Sequence, residues 1–195
     1  MKEIKLRVGD LLDVTEGIIV HGCNAQGVMG SGVAKQIKEK YPKAYDEYRF
    51  DYGNHGLRLG DCVTTDIDTD LIIVNAVTQN SFGRSYMRYV NYEAIANTFE
   101  FLRRLAKQEN KKIHFPMIGA GLANGNWNII KTIIEETCPD VEKYLWVRDL
   151  EEYIKWENPI IPTKYIGEFK LEGNPEEYIS CDIKQLEITS HEVKN

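Results

Sequence analysis

The stretch Gly17-Ile18-Ile19-Val20-His21-Gly22-Cys23-Asn24-Ala25-Gln26-Gly27-Val28-Met29-Gly30-Ser31-Gly32-Val33-Ala34 decides the reading of this chain. An apolar run over 17–22 is typical of a buried strand. It feeds a loop with three glycines (Gly27, Gly30, Gly32), and a helix begins at about Gly32. Glycine lets backbone approach a bound group closely, and a helix N-terminus offers free N–H groups and a positive dipole end. The stretch therefore reads as a phosphate cradle, or else as a flexible strand-to-helix connection. No GK[ST] follows and the glycines do not spell GxGxxG, so the two common nucleotide fingerprints are absent.

Working outward, strand-like and helix-like segments alternate, which predicts an α/β layered fold. Residues 4–8 read as a strand before the cradle. After it, Val33, Ala34, Ile37 and Tyr41 share one helical face, with Pro42 ending or kinking that helix. Residues 62–65 and 71–77 read as strands around an Asp-rich turn. A polar loop over 78–90 leads to a helix with Tyr92, Ile95, Ala96, Phe99, Leu102 and Ala106 at helical spacing. A strand at 112–115, a glycine-rich loop, a helix through Ile129, Ile130, Ile133 and Ile134, and a strand at 141–147 complete the series. From about Asp149 the character changes. Three of the six prolines (Pro159, Pro162, Pro175) and two strand-like pieces, 165–171 and 178–188, form an extension without recognisable chemistry. The expected division is a domain over 1–148 and an extension over 149–195, packed on the domain and a candidate homo-oligomer contact.

Composition narrows the function. The 195 residues are 43% hydrophobic and 28% charged, the proportions of a globular protein. A net charge of −6 argues against bulk capture of nucleic acid, which needs clustered Lys and Arg. No apolar run approaches the roughly 20 residues of a membrane helix, and the opening reads as a strand, not a signal peptide, so the cytoplasm is expected. Cys23, Cys62, Cys138 and Cys181 are scattered without zinc-ligand spacing and read as reduced core or pocket residues. Neither a metal site nor a cofactor is expected.

Ligands of open α/β sheets bind beyond the carboxyl ends of the strands, where four segments carry candidate chemistry. Asp10, followed by Leu11, stands in a tight turn after the first strand; it either caps the next turn or accepts from an exocyclic amine such as that of adenine. Asn24 suits a ribose diol or, equally, local turn bonding. Asn75, Ser81 and Phe82 belong to a second polar segment, read as pocket wall or solvated loop. Gly119-Ala120-Gly121-Leu122 offers a second set of amides to the same phosphates. Asn126 is a plausible helix cap, and Trp127 reads as core.

In this order and spacing, G-D-L-L (9–12), I-V-H-G-C-N (19–24), G-V-M-G-S-G-V-A (27–34) and I-G-A-G-L-A-N-G-N-W (118–127) resemble the macro domain family. The resemblance covers about residues 1–147. It implies a three-layer α/β/α fold with a mixed central sheet and a pocket for ADP-ribose or a close derivative. His21 ahead of Gly-Cys-Asn, with Asn-Ser-Phe-Gly (80–83), is most similar to the ADP-ribose-1″-phosphate phosphatase branch, whose members are metal-independent. By that resemblance Asp10 meets the adenine amine and Asn24 the distal ribose, and Leu11 also belongs to the ligand site. Val28, Met29, Gly30, Ser31, Gly32 and Val33, with Gly119 to Leu122, wrap the diphosphate and distal ribose. His21 is the catalytic candidate, as acid/base or orienter of water; the alternative is a structural histidine bonded to a carbonyl. The sequence departs from related branches in three places. No lysine lies between Lys43 and Lys107, no Asp or Glu lies in 78–91, and Ala123 replaces an aspartate of a deacylase branch. The implied activity is phosphatase, with an ADP-ribosyl ester hydrolase and a non-catalytic reader as rivals.

Overall fold

A computed structural model of the chain describes residues 2–157, with the exception of 84 and 86. The strand-like pieces expected at 165–171 and 178–188, and Cys181, lie outside the described residues.

Among the described residues six strands form one sheet: β1 (Ile4–Val8), β2 (Gly17–Asn24), β3 (Cys62–Asp66), β4 (Leu71–Gln79), β5 (Ile113–Phe115) and β6 (Lys143–Val147). Their order is β1-β6-β5-β2-β4-β3. All neighbours are parallel except β3 against β4, so the sheet is mixed as expected. Among the described residues five α-helices accompany it: α1 (Gly32–Lys40), α2 (Pro42–Asn54), α3 (Tyr92–Gln108), α4 (Trp127–Thr137) and α5 (Leu150–Glu157).

Side chains alternate across a strand, and here the alternation sorts the core into two layers. Ile18 and Val20 of β2, with Ile72, Val74 and Ala76 of β4, pack with Ile95, Phe99 and Leu102 of α3 and Ile130 and Ile134 of α4. Ile19, Leu71 and Ile73 face the other way, onto Leu11, Leu12, Ile37 of α1 and Ala44 of α2. Burying Phe99 completely, edge-on to Phe115 at 5.3 Å between ring centres, makes its truncation to alanine cost about 3–5 kcal/mol. This is the three-layer arrangement, and it puts the cradle loops at one edge of the sheet.

One helix was not foreseen. Pro42 does end α1, but it also occupies the first turn of α2, where its missing N–H costs nothing. The α2 sequence buries only Ala44 and Tyr48 and leaves Phe50 exposed, so its apolar stripe is too thin to read. Helix α5 lies past residue 148, and its Tyr153 joins the core on the α3–α4 side.

At the edge away from the cradle, Lys143 is fully buried. Its ammonium donates to the carbonyls of Cys138 (2.8 Å) and Lys2, closing the end of α4 where a cation meets the negative dipole end.

Candidate functional site

The loops after β2, β4 and β5 enclose a cavity of about 620 Å³, within the range of small-molecule sites. Its wall includes Val28, Gly30 to Ala34, Thr78, Phe82 and the segment Pro116 to Gly119, closing with Gly121 to Ala123. Among the described residues, none that lines it is an Asp, Glu, Lys or Arg. In a chain with 30 acidic and 24 basic residues, that selection leaves backbone amides and the neutral side chains of His21, Asn24, Ser31, Thr78 and Gln79 as the polar groups of the described wall.

The amides are free. At α3 and α4 the cap residues Asn91 and Asn126 accept from Ala94 N (2.8 Å) and Asn128 N (2.9 Å), as capping rules lead one to expect. Ser31 before α1 makes no side-chain cap bond. Among the described residues nothing claims the N–H groups of Gly32, Val33 and Ala34. In the second loop the Gly121, Leu122 and Ala123 amides are likewise unclaimed, while Ala120 N is used on Met117 O at 3.1 Å. Gly119 holds φ +76°, and a Cβ there would lie 2.7 Å from Val90 Cγ2, so only glycine fits. Leu122 approaches Gly32 across the cavity; its Cδ1 is 3.8 Å from where a Cβ on Gly32 would stand.

The first loop is braced from α2. Asn24 donates to Val28 O (2.6 Å) and accepts from Gln26 N (2.9 Å) and Val28 N (3.2 Å). The Tyr48 hydroxyl donates to Asn24 O, and Arg49 Nη1 donates to Gly27 O at 3.1 Å. Asn24 borders the cavity, yet most of its amide is spent holding the loop.

His21 lies three residues inside β2, which continues to Asn24. Its ring points to the α1–α2 side and is 1% exposed. Asn75 Nδ2 donates to Ala44 O (2.8 Å), which turns Asn75 Oδ1 toward His21 Nε2 at 2.7 Å. That pairing assigns the proton to Nε2 and leaves Nδ1 as the basic atom, 3.7 Å from Cys23 Sγ. Burial holds the imidazole down to about 4, against weaker support from Asn75 and the Gly22 backbone. The same burial pushes the Cys23 thiol up, away from thiolate.

Of the residues expected at the site, the cavity gathers His21, Asn24, Val28, Gly30, Ser31, Gly32, Val33, Phe82, Gly119, Gly121 and Leu122. Six lie off its wall. Leu11, Met29 and Ala120 are buried in the core, Asn75 is buried behind His21, Ser81 is exposed beside the wall, and Asp10 stands farther along the same sheet edge. Asp10 does cap, its Oδ1 accepting from Leu12 N at 3.0 Å. Gly22, Cys23, Thr78 and Ile118, which lie in segments the sequence singles out without giving each a role, also line the cavity, and sequence reasoning missed Pro116 and Met117. Thr78 Oγ1 is buried without a partner among the described residues and would sit 2.7 Å from a Cβ on Gly22, so Gly22 is also constrained by contact. No group of three or more His, Cys, Asp or Glu able to hold a metal occurs among the described residues.

Comparison with known proteins agrees with this geometry. The chain is 32% identical over 131 residues to an uncharacterised 17.5 kDa protein of Enterobacteria phage T4, covering 64% of this chain and 81% of that one. It is 25% identical over 126 residues to a Candida albicans protein named ADP-ribose 1″-phosphate phosphatase, covering 61% and 80%. Among solved structures, the macrodomain of Thermus aquaticus DarG superposes with a TM-score of 0.64 at 23% identity, over 76% of this chain and 99% of that one. The profile of the Macro domain family matches residues 20–134, more than half of the 195. With two glycine loops presenting open amides at one edge of a mixed sheet, the chain belongs to the macro domain family.

Proposed function

We propose that the cavity binds ADP-ribose and its derivatives, and that the protein hydrolyses the phosphate from ADP-ribose 1″-phosphate. One observation carries the binding half: two glycine loops with unclaimed amides line the cavity at the open N-terminus of α1, and among the described residues no Asp, Glu, Lys or Arg joins them in its wall. Such an end holds a diphosphate by dipole and hydrogen bonds without a lysine or a metal. The catalytic half is supported by the name of the Candida albicans relative.

In this reading Asp10 meets the base, and the loops at 28–33 and 119–122 wrap the diphosphate and distal ribose. Asn24 and Tyr48 keep the first loop in shape. Hydrolysis breaks one P–O bond: water attacks phosphorus, its proton passes to the departing sugar oxygen, and ADP-ribose and inorganic phosphate result. His21 is neutral at pH 7, so the role open to it is acceptor of a proton at Nδ1, or orienter, and not imidazolium acid. A binding-only reading has one observation in its favour: among the described residues no carboxylate or lysine lines the wall. An esterase acting on O-acyl-ADP-ribose or an ADP-ribosylated acidic side chain would use the same cradle.

The test is calorimetry with ADP-ribose beside turnover of the 1″-phosphate and an O-acyl-ADP-ribose, each with and without EDTA. Expected are micromolar affinity, about 8 kcal/mol, and phosphate release that survives chelation. His21→Gln should slow that release by about 10²–10⁴-fold. Tight binding without turnover of either substrate identifies a reader, and ester cleavage alone identifies the esterase. No binding of ADP-ribose removes the reading.

A further inference from the structure

Two parts of the cavity wall are tied together from outside it. Phe82, on the segment that follows β4, forms one part, and Gly121, Leu122 and Ala123 of the second glycine loop form another. Asn124 is bonded to both segments, yet it is exposed and does not line the cavity. Its backbone N–H donates to Gly121 O at 3.0 Å, closing the turn that carries the unclaimed amides. Its side-chain Nδ2 donates to Ser85 O and to Met87 O, each at 2.8 Å. Both protons of that amide are thereby spent on the Phe82 segment.

Neighbouring contacts run the same way. Ala123 O accepts from Tyr89 N at 2.9 Å and from Val90 N at 3.2 Å. The Tyr89 hydroxyl bonds Ser85 Oγ at 2.6 Å, and a Cβ on Gly83 would lie 2.2 Å from that hydroxyl. Phe82 adjoins Gly83 in the chain, so the placing of Ser85 and Tyr89 is passed on to the wall. Asn124 itself holds φ +55°, a left-handed conformation open to glycine and, among other residues, most readily to asparagine. Hydrogen bonds at an exposed residue add little to the fold, because water competes for both partners. What asparagine adds over glycine here is the reach to Ser85 and Met87.

We propose that Asn124 is a positioning residue for ligand binding: its amide holds the Phe82 wall in register with the amides of Gly121 to Ala123, and it does so without touching the ligand. This rests on the nucleotide reading above and adds to it a residue outside the cavity. Two contact surfaces already held at their bound spacing spare the ligand the cost of ordering them. Releasing the hold therefore weakens binding only as far as Phe82 is there to be held.

The experiment is a double-mutant cycle on the full chain. Wild type, Asn124→Gly, Phe82→Ala and the double variant are titrated with ADP-ribose by calorimetry, each below its own melting transition. Asn124→Gly keeps the left-handed turn and deletes the amide. Alone it should weaken ADP-ribose about 5–20-fold. Where Phe82 is already alanine, it should weaken ADP-ribose by less than about twofold. Asn124→Asp is a near-isostere whose carboxylate has no proton to donate at pH 7. It should repeat the pattern, and it replaces the glycine variant if that one does not fold. Wild-type affinity in the Asn124 variants overturns the proposal. Equal losses with and without Phe82 overturn it too, because Asn124 would then serve its own loop alone. A wild type that does not bind ADP-ribose removes the nucleotide reading and this proposal with it, before any variant is compared.

Discussion

Acid should destabilise this protein in part through one buried ring, and replacing that ring should reveal how much. His21 is 1% exposed, and burial holds it down to about 4 from an ordinary 6.5. Between those two values the unfolded chain carries a proton on the imidazole and the folded chain does not. The unfolded state therefore binds more protons, and stability falls as pH falls through that window. Each decade costs about 1.4 kcal/mol, so the whole span removes roughly 3 kcal/mol, a large share of a typical domain's stability. His114 is also held near 4, by burial and by Lys112 and Arg7, and adds a loss of the same sign. Subtracting a His21→Gln variant isolates the His21 part, because an amide can still donate toward Asn75 Oδ1 and does not titrate. Urea denaturation of both proteins at pH 7, 5.5 and 4.5 would measure it. The wild type should lose more stability than the variant, each relative to its own value at pH 7, by about 2 kcal/mol or more at pH 4.5. Parallel losses would mean that the ring is not buried neutral as described, and the argument against an imidazolium acid would fall with it.

Two further perturbations act on the cradle. Gly119→Ala places a Cβ 2.7 Å from Val90 Cγ2 at φ +76°; it should cost about 2–4 kcal/mol, seen as a lowered melting temperature, and should abolish the gain in melting temperature from ADP-ribose. Tyr48→Phe leaves Asn24 O without its buried donor; about 1–3 kcal/mol of stability and several-fold in ADP-ribose affinity should be lost, by melting and calorimetry respectively. An unchanged affinity in Tyr48→Phe would detach α2 from the site.

The alternation of strands and helices was legible because each buried strand is a short apolar run and each covering helix repeats its apolar residues every turn. The thin stripe of α2 defeated the same method, since Ala44 and Tyr48 alone face inward. The glycine loops were legible because their chemistry is backbone chemistry, carried by residue type. What escaped depends on neighbours distant in sequence. Arg148 meets Asp10 across 138 positions, and Tyr48 reaches Asn24 across 24. His21 could be read either way from sequence. Its burial follows from the length of β2 and from Asn75 on the adjacent strand, neither of which the residue itself announces.

Pairing of β1 with β6 has a consequence for how the chain is made. The first strand finds no partner in the sheet until the sixth exists; Lys5 and Glu142, bonded side by side, are 137 positions apart. Contacts of such separation slow folding, because a long loop must close before they are rewarded. During synthesis β1 therefore waits, with four strands already able to pair, until residues 143–147 leave the ribosome and supply its docking edge. Asp10 and Arg148 straddle that late seam. A protein cut short before β6 would keep its glycine loops and lose the place where the base is expected to rest.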